Sequence, residues 1–227
     1  MHTKSNPEGL FPTILASTVH DIKNSLGTLL ELVRQTSAQQ GGQVAGLDQL
    51  EFEAARINHS LMQLLVMYKV DAHKFSVVIE ECAVIDILNE AVHQQARLSQ
   101  LHDIDLRVEC DADLVCYCDY PIVSNALASV LNNALRYTKK TVLLSATEAD
   151  GYLTLSIEDD GAGYPTHFLD ADLSDTAELD WVAGNTGLGL YFVSVMAGLH
   201  KNAGKTGYAR VDNGSRLGGA RFTLFLP

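Results

Sequence analysis

The sequence predicts an α+β protein in two parts, a helical hairpin over residues 1–72 and a mixed sheet covered by helices over residues 73–227. In the first third of the chain, apolar residues recur at alternating spacings of three and four, which is typical of helices with one buried face. Beyond Tyr68, short alternating segments and helical segments follow one another, which indicates helices packed on one face of a sheet. A chain of 227 residues is long enough for one or two domains.

Each helix of the predicted hairpin carries an apolar seam, and the polar segment 39–42 between them predicts the turn. One hairpin has more apolar seam than it can bury alone, so two hairpins are expected to pair as a four-helix bundle in a homodimer. Packing against the rest of the same chain is the alternative. The seam positions are Leu15, Val19, Ile22, Leu26, Leu29 and Val33 in the first helix, and Leu47, Leu50, Ala54, Ile57, Leu61, Leu64 and Tyr68 in the second.

The second part follows a boundary expected at residues 71–74. Its alternating segments predict strands, and the pair Asp150-Gly151 predicts a tight hairpin turn. Pro121 suits the first turn of a helix. The predicted strands are 75–79, 104–108, 115–118, 141–147, 153–158, 208–212 and 221–226, and the predicted helices are 85–98, 121–137 and 185–199.

The chain is acidic, with 16 Lys and Arg against 28 Asp and Glu and a net charge of −12. This charge argues against duplex nucleic acid or an anionic membrane as the main partner. The sequence has no secretory leader and no apolar run of about 18 residues, so we expect a cytoplasmic protein with reduced thiols and no membrane insertion. Cys116 and Cys118 are then expected to pack as small apolar side chains on one face of a strand, and a redox or metal-binding pair is the alternative.

The first candidate for chemistry is His20, which lies one position beyond the apolar seam of the first helix. Asp21 is its neighbour, and Asn24 lies one turn further on the same face. A solvent-facing imidazole can act as a nucleophile when a carboxylate holds its second ring nitrogen. Such a pair on an isolated helix is more often ordinary surface, so the other motifs must decide.

Two glycine-containing segments have the chemistry of a nucleotide site. Asp159 directly follows the predicted strand 153–158, and a carboxylate at a strand end can accept a hydrogen bond from an amino group such as that of adenine. Gly161 and Gly163 allow a ligand to approach the backbone closely. Gly187 and Gly189 open an apolar helix whose exposed N–H groups favour phosphate. Each segment alone is also typical of an ordinary turn.

A third segment ends the predicted helix 121–137. Asn133 can offer an amide oxygen to Mg²⁺, which prefers oxygen ligands. Arg136 shares the face of Asn133 and can meet a phosphate, and Tyr137 can lie against a base. Taken singly, these residues are only a helix end with a favourable cation.

In their order and spacing, these motifs resemble the core of two-component sensor histidine kinases. Residues 20–26 resemble the H box, 130–138 the N box, 159–163 the G1 box, 186–190 the G2 box and 218–227 the final strand. The resemblance extends from about residue 10 to the end of the chain, and the four boxes are specific jointly.

The resemblance implies a dimerisation and phosphotransfer hairpin, followed by a GHKL-type ATP-binding α/β sandwich. It implies that His20 accepts the phosphoryl group, that Asp21 acts as its base and that Asn24 positions water for dephosphorylating a response regulator. The nucleotide site that it implies comprises Asn133 for Mg²⁺, Arg136 for the phosphates, Asp159 for the adenine amino group, and Gly161, Gly163, Gly187 and Gly189 around the ligand.

The chain departs from the family pattern in several places. Ser25 replaces the proline of the H box, Ser129 replaces the first asparagine of the N box, and Asn185 replaces the first glycine of the G2 box. The lid at residues 164–184 has no Lys or Arg, and its carboxylates repel a triphosphate by about 1 kcal/mol per close pair before screening. We therefore expect weak ATP affinity or weak kinase activity, unless the lid swings away. The lid carboxylates are Asp170, Asp172, Asp175, Glu178 and Asp180.

Three functions are compatible with these residues. The first is a histidine kinase core that uses ATP and Mg²⁺ to phosphorylate His20 and then transfers the group to the receiver domain of a response regulator. Because about nineteen residues precede His20, its stimulus is expected to come from a separate sensory protein. The second is a histidine phosphotransfer adaptor or regulator phosphatase with a degenerate nucleotide site, and the third is a scaffold without phosphochemistry.

Overall fold

The computed structural model describes residues 75–169, 172–174 and 188–227, together with eleven isolated helical positions before residue 75. The chain divides into two compact units, Met1–Ser76 and Val77–Pro227. The predicted hairpin, its turn and the four-helix bundle lie outside the described residues. The isolated helical positions are Ile22, Leu26, Gly27, Leu29, Ala54, Ile57, Leu61, Val66, Met67, Tyr68 and Val70.

The described part of the second unit alternates between strands and helices. The strands are β1 (Glu80–Ala83), β2 (Asp105–Glu109), β3 (Val115–Cys118), β4 (Thr141–Ala149), β5 (Tyr152–Asp159), β6 (Lys201–Asn202), β7 (Lys205–Thr206), β8 (Tyr208–Asp212) and β9 (Arg221–Leu226). The helices are α1 (Val84–Leu101), α2 (Tyr120–Tyr137), α3 (Thr166–Leu169) and α4 (Leu188–Leu199).

The main sheet has five strands in the order β2-β4-β5-β9-β8. Strand β2 runs parallel to β4, and the other neighbours are antiparallel, so the sheet is mixed as predicted. Asp150 and Gly151 connect β4 to β5 with φ of 54° and 73°. Two successive positive φ values suit the right-handed twist of a hairpin, which explains the Asp-Gly pair.

The core lies between this sheet and the long helices. Leu144, Ile157 and Phe222 face one another across β4, β5 and β9, and each is at most 2% exposed. Ser145 and Ser156 point to the opposite face, so the sheet is apolar on the helix side and more polar on the other. The largest fully buried helix residues are Ile87 and Leu88 of α1, Leu127 and Leu131 of α2, and Met196 of α4.

The predicted strand at residues 75–79 is wrong. These residues are irregular, and the strand falls on Glu80–Ala83, which pairs with β3 from Cys118 to Val115. The N–H of Val78 donates to Asp119 Oδ2 at 2.8 Å, so a side chain takes the place of a ladder partner. The short elements α3, β6 and β7 were not predicted.

Three of the four cysteines are buried in the small sheet formed by β1 and β3. Cys82 faces Cys116 across the strand pair, and Cys116 Sγ lies 3.7 Å from Cys118 Sγ. Among the described residues, no group of three or more ligating side chains is arranged to hold a metal ion. Their burial agrees with packing as small apolar side chains.

Within the part of the chain that the structure describes, no helix combines the length and the apolar character needed to cross a bilayer.

Candidate functional site

Asp159, the last residue of β5, is the centre of the candidate site. Asp159 is only 5% exposed. Oδ1 accepts the N–H of Gly161 at 2.8 Å and the N–H of Ala220 at 3.1 Å. The backbone of Asp159 is also fixed, since its N–H donates to Ala220 O and its carbonyl accepts from Gly219 N. The carboxylate is therefore held in one orientation from both sides.

The second carboxylate oxygen, Oδ2, has no hydrogen-bond partner among the described residues. Burial raises the pKa of Asp159, and the N–H groups of Gly161 and Ala220 oppose this shift only in part. A buried acceptor without a partner costs free energy in the isolated protein. A ligand that brings an N–H donor to Oδ2 would recover that cost, which fits the amino group of adenine.

Glycines around Asp159 permit the close approach of three backbone segments. A Cβ on Gly161 would overlap the carbonyl oxygen of Tyr137 at the end of α2. A Cβ on Gly219 would overlap Asp159 Oδ1 and the N–H of Gly161. Any larger residue at either position would therefore push the loop after β5 away from α2 or from the start of β9.

Gly163 has a different requirement. Its φ of 85° lies in the left-handed region, and a Cβ at this position would overlap the side chain of Asn213. The Asn213 side chain accepts the N–H of Tyr164 at 2.7 Å and donates to Tyr164 O at 3.0 Å. This reciprocal pair fixes the backbone where the glycine-containing loop ends.

Helix α2 carries the predicted metal-side and phosphate-side residues. It begins after Asp119, whose Oδ1 accepts the N–H of Ile122 at 3.2 Å and caps the first turn. Asn133 is half-buried, and its amide has no hydrogen-bond partner among the described residues. Arg136, in the last turn, and Tyr137 are exposed. The half-buried amide oxygen of Asn133 suits a hard cation.

The start of α4 lies against α2. Ser129 Oγ would be 3.5 Å from a Cβ on Gly189, an ordinary contact distance. Ser129 occupies the position where the family pattern has asparagine, so this departure faces the glycine-rich helix start.

The structure therefore describes seven of the predicted site residues and brings several of them together. Gly161 meets the backbone of Tyr137, and both lie beside the buried Asp159. Gly187 and the three phosphotransfer residues lie outside the described residues. Those three are His20, Asp21 and Asn24.

Sequence reasoning missed the contribution of the segment before β9. Ser215 Oγ donates to Asp159 O at 2.7 Å, and Gly219 and Ala220 donate to Asp159 as described above. The Gly218-Gly219 pair was the available signal, since consecutive glycines ahead of a strand indicate close backbone approach.

About half of the chain matches a known protein family. Residues 118–227 match the family described as "Histidine kinase-, DNA gyrase B-, and HSP90-like ATPase". The match includes α2, the strand that ends at Asp159, and the final strand β9. This part of the chain is therefore a domain of that ATPase family, with the α/β fold of the GHKL type.

The chain is also similar to two bacterial sensor proteins, one of which is a sensor histidine kinase. The chain is 30% identical over 177 residues to the sensor protein DivL of Caulobacter vibrioides, covering 77% of this chain and 22% of that protein. It is 27% identical over 221 residues to the sensor histidine kinase CpxA of Escherichia coli, covering 94% of this chain and 46% of that protein. The chain thus spans less than half the length of either relative.

Two solved structures have a similar fold. The histidine kinase AdeS of Acinetobacter baumannii has a TM-score of 0.59 at 17% identity, covering 89% of this chain and 95% of that one. Full-length ShkA, in complex with AMPPNP, has a TM-score of 0.67 at 19% identity, covering 95% of this chain and 46% of that one.

Proposed function

We propose that this chain is an ATP-dependent protein-histidine kinase core. It binds ATP with Mg²⁺, phosphorylates His20, and passes the phosphoryl group to an aspartate in the receiver domain of a separate response regulator. The observation that carries the proposal is the buried carboxylate of Asp159, whose Oδ1 is held by two N–H groups while Oδ2 has no partner among the described residues.

The described residues fit an adenine nucleotide. Asp159 Oδ2 would accept the adenine amino group. Gly161 and Gly163 would hold the loop after β5 in place through their close contacts with Tyr137 and Asn213. Gly189 would border the ligand at the start of α4. Asn133 would hold Mg²⁺ through its amide oxygen, with Arg136 near the phosphates and Tyr137 against the base. Gly187 would border the phosphates at the start of α4. Bound Mg²⁺ would neutralise charge on the phosphates during transfer.

The residues of the hairpin would perform the transfer. One ring nitrogen of His20 would form the bond to the γ-phosphorus while the bond to the ADP oxygen breaks. Asp21 would take the proton from the other ring nitrogen. To end the signal, Asn24 would position the water that dephosphorylates the response regulator. Catalysis in such a system depends mainly on positioning and charge neutralisation.

We also propose that residues 1–72 form the dimerisation and phosphotransfer domain and residues 73–227 the ATP-binding domain. Three of the predicted seam residues support pairing with a second copy, because Ile22, Leu29 and Ile57 are 45%, 53% and 44% exposed in the single chain. Apolar side chains with this spacing can bury their surface in a four-helix bundle. We place the kinase in the cytoplasm, where a separate sensory protein would control it.

Incubation of the full chain with γ-labelled ATP and Mg²⁺ tests the kinase proposal. The label should be acid-labile, as expected for a phosphoramidate bond, and absent from His20→Ala. His93→Ala removes an exposed histidine elsewhere on the surface and should label like the wild type. Labelling that persists in His20→Ala would contradict the assignment of the phosphoacceptor.

Titration with Mg·ATP distinguishes the kinase from the alternative function. The lid carboxylates lower the expected affinity but leave it measurable. No binding at millimolar Mg·ATP would contradict the kinase proposal and would favour a phosphotransfer adaptor or regulator phosphatase with a degenerate nucleotide site.

A further inference from the structure

Asp160 directly follows Asp159, the candidate ligand of adenine, and accepts hydrogen bonds from the turn that connects α2 to β4. We call this set of hydrogen bonds the Asp160 grip. Its Oδ1 accepts the hydroxyl of Thr138 at 2.9 Å and the N–H groups of Lys139 and Lys140 at 2.8 and 3.0 Å. Its Oδ2 accepts the N–H groups of Lys140 and Thr141 at 3.1 and 3.2 Å. One carboxylate thus binds four consecutive residues.

This grip joins the two sides of the candidate nucleotide site. On one side, Asp160 is covalently linked to Asp159. On the other, the turn that it binds begins immediately after Tyr137, the last residue of α2. The close approach of Gly161 to the Tyr137 carbonyl lies beside this grip and makes a second contact between the same two segments. The end of α2 is therefore fixed to the end of β5 at two neighbouring points.

The grip is made by an ionised group. Burial by itself opposes ionisation of Asp160, but the N–H groups of Lys140 and Lys139, the Thr138 hydroxyl and the Thr141 N–H outweigh it and lower its pKa. Hydrogen bonds to a charged acceptor are stronger than those between neutral groups. A neutral side chain of the same shape would therefore hold the turn less firmly.

We infer that Asp160 is a positioning residue, which sets the metal-side amide of Asn133 on α2 at a fixed place relative to the adenine carboxylate of Asp159. The inference rests on the proposed function. A nucleotide bound at its base by Asp159 reaches Mg²⁺ at Asn133 only if the two elements are held in register. Mg²⁺ demands near-ideal geometry, so a small shift of α2 weakens metal-dependent binding more than binding of the base.

A simpler role would be to satisfy the N–H groups of the turn and so stabilise the fold. The two roles differ in what they change. Loss of stability alone lowers the folded fraction and affects every ligand equally, whereas a shift of α2 relative to β5 acts on the Mg²⁺-dependent part of nucleotide affinity. The ratio of the Kd for ADP in chelator to the Kd for Mg·ATP therefore separates them.

The test is calorimetric titration of the full chain carrying Asp160→Asn, with Asp103→Asn as its matched control. Asparagine keeps the shape but places an N–H₂ group against the N–H groups of Lys140 and Thr141. The control removes the same charge and another carboxylate contact to the same turn, because Asp103 Oδ2 binds Lys140 Nζ at 2.8 Å, while all backbone bonds of the turn remain.

In Asp160→Asn, Mg·ATP should bind about tenfold more weakly, while ADP in chelator should bind within about twofold of wild type. Asp103→Asn should match the wild type with both ligands. Equal losses for both ligands, or none for either, would overturn the inference.

If Asp160→Asn does not fold, Thr138→Val serves instead, because it removes one bond of the grip with little change in shape. It should weaken binding of Mg·ATP selectively by about threefold. An unchanged ratio of the two Kd values in Thr138→Val would overturn the inference. Failure of the wild-type chain to bind Mg·ATP would instead contradict the proposed function, and the inference would fall with it.

Discussion

His200 Nε2 accepts the backbone N–H of Asp119 at 3.1 Å, across a separation of 81 residues. The other ring nitrogen, Nδ1, lies 2.9 Å from Met196 O and must therefore donate its proton to that carbonyl. His200 is 2% exposed and neutral in this arrangement. Asp119 in turn caps α2 and accepts the N–H of Val78, so one buried network ties α2, α4 and the segment before β1 together.

Two substitutions at His200 separate its donor from its acceptor. His200→Asn keeps a donor near the Nδ1 position but leaves the Asp119 N–H without an acceptor. We expect it to lower the free energy of unfolding by about 1–3 kcal/mol, because a buried N–H would lose its partner. His200→Gln can place its amide oxygen near the Nε2 position and should lose less. Denaturant unfolding of both variants measures this difference, and a larger loss for glutamine would contradict the assigned roles of the two nitrogens.

Asp159→Asn should weaken nucleotide binding without lowering the stability of the fold. Asparagine Oδ1 can still accept from Gly161 and Ala220, but its N–H₂ group then replaces Oδ2, which has no partner within the described part of the chain. We expect binding of Mg·ATP to fall by about tenfold or more, since a donor would face the adenine amino group. The free energy of unfolding at neutral pH should not fall, because the buried charge is removed. Calorimetry and chemical unfolding measure the two effects, and unchanged nucleotide affinity would contradict the role of Asp159.

The pH dependence of the same variant follows from the raised pKa of Asp159. At a pH below the ordinary pKa of aspartate, the folded and unfolded states are both protonated and the residue has no effect. As the pH rises past that value, the unfolded chain releases its proton first, so the folded state loses relative stability until the folded pKa is passed. The free energy of unfolding of Asp159→Asn, relative to wild type, should therefore increase from about pH 3 to pH 7. A constant difference across this range would contradict a raised pKa.

The sequence was informative where local pattern determines structure. Alternation predicted β4 and β5, and the Asp150-Gly151 pair predicted the turn between them, because positive φ is a local requirement. The same alternation predicted a strand that ends at Glu158, and in the structure β5 continues for one more residue, to Asp159.

The sequence was less informative where a residue far away in the chain determines the local structure. The apolar run 75–79 has the composition of a strand, but Asp119 takes the Val78 N–H and the strand begins only at Glu80. The contacts from His200 to Asp119 and from Ala220 to Asp159 join residues far apart in the chain, and no spacing within either segment predicts them.

Gly219→Ala should disturb the candidate site directly. The new Cβ would overlap Asp159 Oδ1, so the carboxylate or the segment before β9 must move. We expect a loss of about 1–3 kcal/mol in the free energy of unfolding, together with weaker nucleotide binding. Gly198→Ala is the matched control, because its Cβ in α4 meets nothing within 4 Å and alanine favours a helix. Thermal unfolding and ATP titration of both variants check this, and equal behaviour of the two would contradict the crowding at Gly219.

Arg216→Ala should remove the cationic partner of a buried carboxylate on the other face of the sheet. Arg216 Nε donates to Glu158 Oε1 at 2.8 Å, and the Glu158 side chain is only 3% exposed. Truncation leaves the arginine backbone N–H on Oε2 but takes away the charge, so we expect the free energy of unfolding to fall by about 2–4 kcal/mol. Adding Glu158→Gln should restore part of this loss, because the charge to be compensated is then gone.

The control is Arg107→Ala, whose pair with Asp105 is more than half exposed on both sides and should contribute at most about 1 kcal/mol. Urea unfolding of the three variants measures these values, and a loss for Arg216→Ala no larger than that for Arg107→Ala would show that Glu158 does not depend on its arginine.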